Sequence, residues 1–161
     1  MSKAALIVGA GDATGGAIAK AFAREGYVAC VNRRARNADQ LEALAQSIRD
    51  EGYQSRACPA DARIEDDVVA MVDAIERDVG PIEVAVFNIG ANVNFSVLDM
   101  TAQVYRKVWE MAAFAGFLMA RESARRMVER QSGTIIFTGA TASIRGGTGF
   151  SAFSGAKGTL R

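Results

Sequence analysis

The sequence predicts an α/β fold built on a doubly wound parallel sheet, and three observations predict it. Short apolar runs alternate with amphipathic helical stretches along the whole chain. The run Ile82 to Phe87 is almost uninterruptedly apolar, as a strand is when helices cover both faces of its sheet. The first run empties into a glycine-rich turn, Gly9-Ala10-Gly11-Asp12-Ala13-Thr14-Gly15-Gly16, which opens a helix.

Taken in order, Ala5 to Val8 is a short buried strand. The helix after the turn carries Ala17, Ile18, Ala21 and Phe22 at helical spacing and stops at Gly26. Small residues between a strand and a helix let a bulky anion reach backbone N–H groups at the positive end of the helix dipole. That arrangement is a dinucleotide-phosphate cradle; the same glycines also serve tight strand-to-helix packing, and nucleoside-binding methyltransferases use similar turns. The second strand, Tyr27 to Val31, ends in Asn32-Arg33-Arg34. An acid at that strand end would hold the two ribose hydroxyls of NAD, whereas arginines suit a 2′-phosphate. NADP(H) is therefore expected in preference to NAD(H), against the plainer reading of two solvated surface arginines.

Asn37 or Asp39 can cap the next helix, with Leu41, Leu44, Ala45 and Ile48 on its apolar side before Gly52. A third strand, Gln54 to Cys58, precedes Pro59-Ala60-Asp61-Ala62. Ile64 to Val79 is a helix with Val68, Val69, Val72 and Ile75 as its face, broken by Gly80-Pro81. After the fourth strand, Asn88-Ile89-Gly90-Ala91-Asn92 forms a polar turn at the carboxyl end of the sheet, where ligands bind in this architecture. Thr101 caps a long helix through Trp109, Met111, Phe114, Phe117, Leu118 and Met127, with Gly116 its weak point. Gln131-Ser132-Gly133 turns into a fifth strand, Thr134 to Thr138. The small-residue loop Gly139 to Gly149 leads to a last helix near Phe150, which runs to Arg161.

Composition narrows the function classes. The 161 residues make one domain, 1–161, half of them hydrophobic, with 19 basic and 18 acidic side chains. No charge block points to nucleic acid or a membrane surface. Cys30 and Cys58 have no metal-ligand spacing and His is absent, so neither a zinc site nor a Ser-His-Asp triad is expected. With no leader-like or membrane-spanning stretch, a cytoplasmic location is the expectation.

Several motifs in order make the chain resemble the short-chain dehydrogenase/reductase family of Rossmann-like oxidoreductases. The family's T-G-x-x-x-G-x-G turn falls on Val8 to Gly15, with its middle glycine replaced by Ala13, and N-N-A-G falls on Phe87-Asn88-Ile89-Gly90. Asp61-Ala62 resembles the adenine contact, and Gly133 to Ile136 the fifth strand. The resemblance implies that Gly9, Gly11, Asp12, Ala13, Thr14 and Gly15 hold a pyrophosphate, and that Asn32, Arg33 and Arg34 face the adenosine ribose. Asp61 and Ala62 would border adenine, with Asn88, Ile89, Gly90 and Lys157 on the ribose and nicotinamide side.

The family reaction it implies is hydride transfer at a carbonyl or alcohol carbon, by a tyrosine acid/base, a lysine four residues later, a serine and an asparagine. Here Y-x-x-x-K reads Phe153-Ser154-Gly155-Ala156-Lys157, the serine position is Ala140 and the asparagine position Ala112. Only Lys157 is retained. A phenyl ring has no ionisable proton, and loss of a general acid or base costs about two to four powers of ten in rate. An alanine for the serine also removes a hydrogen bond to developing oxyanion charge, worth about 3 kcal/mol. Weak or absent carbonyl–alcohol chemistry is therefore expected, with a non-catalytic nucleotide- or partner-binding scaffold, a pseudoenzyme, as the alternative.

Members of the family run roughly ninety residues further in a single domain, so an incomplete fold with the fifth strand as an open edge is expected. The resemblance also implies a homo-oligomer, dimer or tetramer, assembled through the helices around Phe114, Phe117, Leu118 and Met119.

Overall fold

A computed structural model describes residues 2–161. Five strands, β1 (Ala4–Val8), β2 (Val28–Asn32), β3 (Ser55–Ala57), β4 (Ile82–Phe87) and β5 (Thr134–Phe137), form one sheet in the order β3-β2-β1-β4-β5. Every pairing is parallel. The helices are α1 (Thr14–Arg24), α2 (Ala38–Asp50), α3 (Glu65–Asp78), α4 (Ala102–Trp109), α5 (Ala115–Glu129) and α6 (Ser151–Leu160). This is the doubly wound, Rossmann-like three-layer fold that the alternating pattern predicts. The chain steps outward from β1 to β3 and then returns to β4 on the other side of β1. The carboxyl ends of β1 and β4 thus bound a topological switch point, where a crevice opens.

The two-residue period of a strand sorts the core into two layers. Leu6, Val8, Cys30, Ala85 and Phe87 pack with Val68, Val72 and Ile75 of α3 and Leu118 and Met119 of α5. On the opposite face Ala5, Ile7, Ala29, Val31 and Val86 meet Ala19 and Ala23 of α1 and Leu41, Ala45 and Ile48 of α2. All five residues of β1 are fully buried, because both layers close over the central strand.

Several local expectations shift. The buried side of α1 is Gly15, Gly16, Ala19 and Ala23; Ile18 and Phe22 pack against it at the margin, and Ala17 and Ala21 are exposed. Small residues turn inward because the helix lies almost on the first turn, leaving no room for larger ones. Asn37 stands at the start of α2 without a side-chain cap bond, and Asp39 lies in its first turn. In α3 Met71 joins the buried face while Val69 is only half-buried, and Glu65, Asp66 and Asp67 complement the positive end of the helix.

Thr101 caps α4 as expected, its Oγ1 accepting the Val104 N–H at 3.2 Å. The predicted single helix then breaks into a π-turn, Glu110–Phe114, before α5. Gly116 is a contact and not a weak point: a Cβ there would lie 2.7 Å from Leu160 and 3.2 Å from the Phe87 ring. The apolar stripe splits: Leu118 and Met119 are core, the half-buried Phe114 packs at its margin, and the exposed Trp109 and Phe117 stack on Phe114 at 5.7 and 6.1 Å with Arg121 over Phe117. Strand β5 is an edge, with Ile136 and Phe137 more than a third exposed. Among the described residues no helix is long and apolar enough to cross a membrane.

Candidate dinucleotide site

At the switch point the glycine-rich turn is fastened from below. Gly9 adopts φ +86°, and a Cβ on it would strike Asn88 and Ile89 at 2.9 Å. A Cβ on Gly15 would lie 2.4 Å from the Gly9 carbonyl oxygen, so α1 can start this close to the turn only without a side chain there. Gly11 has open space around it. The Gly9 and Ala10 N–H groups both donate to the Asn32 carbonyl, and Asn88 Nδ2 donates to the Gly9 carbonyl at 3.2 Å. Ala13, at the start of α1, offers no side-chain cap, so the positive end of an 11-residue helix faces outward unclaimed by a side chain.

A cleft of about 240 Å³ lies beside this turn. It gathers ten of the sequence-predicted residues: Gly9, Gly11, Asn32, Arg33, Arg34, Asp61, Ala62, Asn88, Ile89 and Gly90. Asp12 and Ala13 lie on the neighbouring groove between α1 and α2, Thr14 is exposed at the helix start, and Gly15 is buried beneath it. Asn32 lines the cleft, but its 1% exposed side chain turns inward, Nδ2 donating to the carbonyls of Cys58 at 2.8 Å and Ala60 at 3.2 Å. It ties β2 to the segment after β3.

The Arg33 Nη1 atom is buried without a hydrogen-bond partner and stands 3.7 Å from the exposed carboxylate of Asp12. Arg34 is less basic than an ordinary arginine because of partial burial and then the like charges of Arg36 and Arg63. Asp61 has its oxygens engaged by Arg63: Oδ1 accepts Nε at 2.9 Å and the backbone N–H at 3.1 Å, and Oδ2 accepts Nη2 at 2.5 Å. That pairing holds the Asp61 carboxyl below the ordinary carboxylate range.

A lowered folded-state pKa means that the stabilisation is complete above the unfolded carboxylate value and is lost as pH falls through the folded one. Asp61→Asn is expected to flatten the acid limb of an unfolding midpoint measured from pH 6 down to pH 2. An unchanged limb would show that the pair contributes nothing to folding.

Sequence reasoning missed Asn37, Ala60, Arg63 and Met111 on the cleft wall. Met111 reaches it from the π-turn, a feature that no propensity announces, whereas Arg63 carries a readable signal, a cation two residues after the predicted acid.

Lys157 lies on α6, 4% exposed, its Nζ donating to the carbonyls of Ile89 and Thr138 at 3.0 Å each. It thereby joins the chain just beyond β4 to the chain just beyond β5, and burial lowers its pKa. The Phe153 ring sits 6.0 Å from Nζ, Ala112 is fully buried in the π-turn, and Ala140 is half-buried with its carbonyl accepting Ser143 Oγ at 2.7 Å. None of these three side chains carries a proton to exchange. The hydroxyls of Ser151 and Ser154 are buried without partners.

The short chain dehydrogenase family profile matches residues 3–161. A short-chain dehydrogenase from Rhodopseudomonas palustris, known by its crystal structure, superposes with a TM-score of 0.93 at 49% identity, over 99% of this chain and 74% of that one. The 2-dehydro-3-deoxy-D-gluconate 5-dehydrogenase of Formosa agariphila is 28% identical over 99% of this chain and 60% of its own length. Versicolorin reductase of Emericella nidulans is 30% identical over 98% of this chain and 59% of its own length. The chain thus spans about 60% of the length of these curated relatives. On its sequence pattern, its sheet order and these similarities, the chain belongs to the short-chain dehydrogenase family.

Proposed function

We propose that this chain binds NADP(H) in preference to NAD(H), as the dinucleotide-binding part of an oxidoreductase-type protein whose carbonyl–alcohol chemistry is weak. The observation that carries the reading is the cleft: Arg33 and Arg34 line the wall where a 2′-phosphate would lie, and no carboxylate at the end of β2 competes for the ribose. The names of the relatives, dehydrogenases and reductases, support a nicotinamide dinucleotide as the ligand. In this reading the open start of α1 takes the pyrophosphate where Gly9 and Gly11 leave room for its close approach, Ala62 and Met111 border the base, and Lys157 lies on the nicotinamide side. The dinucleotide, when bound, supplies the hydride.

A second reading, a non-catalytic nucleotide- or partner-binding protein, is favoured by one specific observation: Phe153, Ala140 and Ala112 stand where the acid/base, the oxyanion donor and the relay residue would be. A cytoplasmic site of action and self-association into a dimer or tetramer belong to the same proposal. The exposed rings of Trp109 and Phe117, stacked on the half-buried Phe114, support self-association.

Calorimetric titration with NADPH and NADH tests the cofactor reading. Tighter binding of NADPH is expected, and Arg33→Gln with Arg34→Gln should weaken it about tenfold while leaving NADH within about twofold, since a charge-assisted hydrogen bond to phosphate is lost only in the first case. Equal losses for both dinucleotides would overturn the assignment.

A further inference from the structure

We propose that Arg63 is a specificity-determining residue of the same cleft: Asp61 holds its guanidinium as a third cationic contact for the 2′-phosphate, facing Arg33 and Arg34. The inference rests on the NADP(H) reading above and names a residue that this reading does not require.

Its first support is position. Arg63 lines the cleft together with Arg33 and Arg34 although it comes from a different segment, the turn leading into α3. Arg34 senses it as a neighbouring like charge. Two strand-end crossovers, after β2 and after β3, therefore deliver cations to one small opening.

The second support is the donor inventory. A guanidinium has five N–H donors in a fixed fork. Asp61 accepts from Nε and from Nη2, which occupies one edge of the fork and leaves both Nη1 donors and one Nη2 donor unspent. A planar group clamped along one edge is preorganised along the other, so little side-chain entropy remains to be lost when an anion arrives. Asp61 also offsets the like charges that Arg36 and Arg63 present to Arg34.

This gives Asp61 a task besides the adenine contact expected of it. With Oδ1 already accepting two N–H groups and Oδ2 a third, the carboxylate is the anchor of Arg63.

The test uses adenosine 2′,5′-bisphosphate against 5′-AMP, together with NADPH against NADH, titrated calorimetrically at two salt concentrations. Arg63→Gln is expected to weaken adenosine 2′,5′-bisphosphate and NADPH about fivefold to tenfold, to leave 5′-AMP and NADH within about twofold, and to make NADPH binding less steeply salt-dependent. Arg24→Gln removes one positive charge from a surface pair with Glu51 outside the cleft and should change no affinity. Arg63→Lys preserves charge without the fork and should recover only part of the selectivity.

Equal weakening of phosphorylated and unphosphorylated ligands would make Arg63 a wall of the base pocket and overturn the inference, as would no change in either. Wild-type protein with no preference for the 2′-phosphate would instead overturn the NADP(H) reading, and this inference with it. Wild-type preference lost in Arg33→Gln/Arg34→Gln but intact in Arg63→Gln would overturn the inference alone.

Discussion

Phe153→Tyr combined with Ala140→Ser is expected to raise NADPH-dependent reduction of carbonyl compounds by about two to four powers of ten over the wild type. The argument is local. The Phe153 ring already lies 6.0 Å from the buried Lys157 ammonium, so a phenol on the same ring would ionise beside a fixed cation. A neighbouring positive charge favours the phenolate and lowers its pKa from the ordinary value of about 10, toward a proton donor usable near neutrality.

Ala140, in the half-buried segment after β5, would present a hydroxyl without a change of backbone, since its φ of −149° and ψ of 151° suit serine as well as alanine. Each single substitution should recover much less than the pair, because groups acting as one catalytic unit are strongly non-additive. The measurement is NADPH oxidation with a panel of ketones and aldehydes, with NADPH affinity titrated in parallel. No gain with any carbonyl while NADPH still binds would mean that the pocket is shaped for another task.

The two-layer core and the parallel sheet were legible in the sequence because they rest on periodicity. Alternate residues of β1 and β4 face opposite layers, and the continuous apolarity of Ile82–Phe87 announces burial on both sides. The cleft was legible for a different reason: in a doubly wound sheet the ends of β1, β2 and β4 converge, so their trailing residues meet whatever they are.

What escaped the sequence was direction. Asn32 sits at the strand end where a ribose contact is expected, but two unpaired carbonyls, at Cys58 and Ala60, claim its amide. Asp61 is where the adenine contact is expected, and its carboxylate also holds the nearest cation, two residues along its own chain. In both cases a buried or half-buried polar group satisfied itself within the protein, and linear spacing contains no term for that competition. The π-turn was invisible for a related reason. It lies where α4 packs on α6 and α5 packs on β4 and β5, with Ala112, Ala113 and Gly116 buried, and no residue within it breaks a helix.

Lys157→Met is expected to lower the stability of the fold by about 3 kcal/mol, the largest single-residue effect outside the core. Methionine matches the length of the lysine stem, so packing is nearly conserved and the change isolates the ammonium. What disappears is one group donating to two carbonyls, those of the half-buried Ile89 and Thr138, which then lose that donor. Part of that loss is offset because burying a cation is itself costly, and the lowered pKa of Lys157 records that cost.

The offset gives the pH dependence its sign. The unfolded chain holds the Lys157 proton up to the ordinary value of 10.5, while the folded chain releases it at lower pH. Between the two values the unfolded state binds more protons, so the wild type gains stability as pH rises, and the methionine variant lacks that gain. The gap between them in urea midpoint should therefore widen from pH 7 toward pH 10. A gap that is absent at pH 7 and fails to open at alkaline pH would mean that water reaches both carbonyls and that Lys157 is not the tie between the ends of β4 and β5. A gap that opens together with loss of NADPH binding would place the geometry of the nicotinamide side of the cleft under the control of this one buried cation.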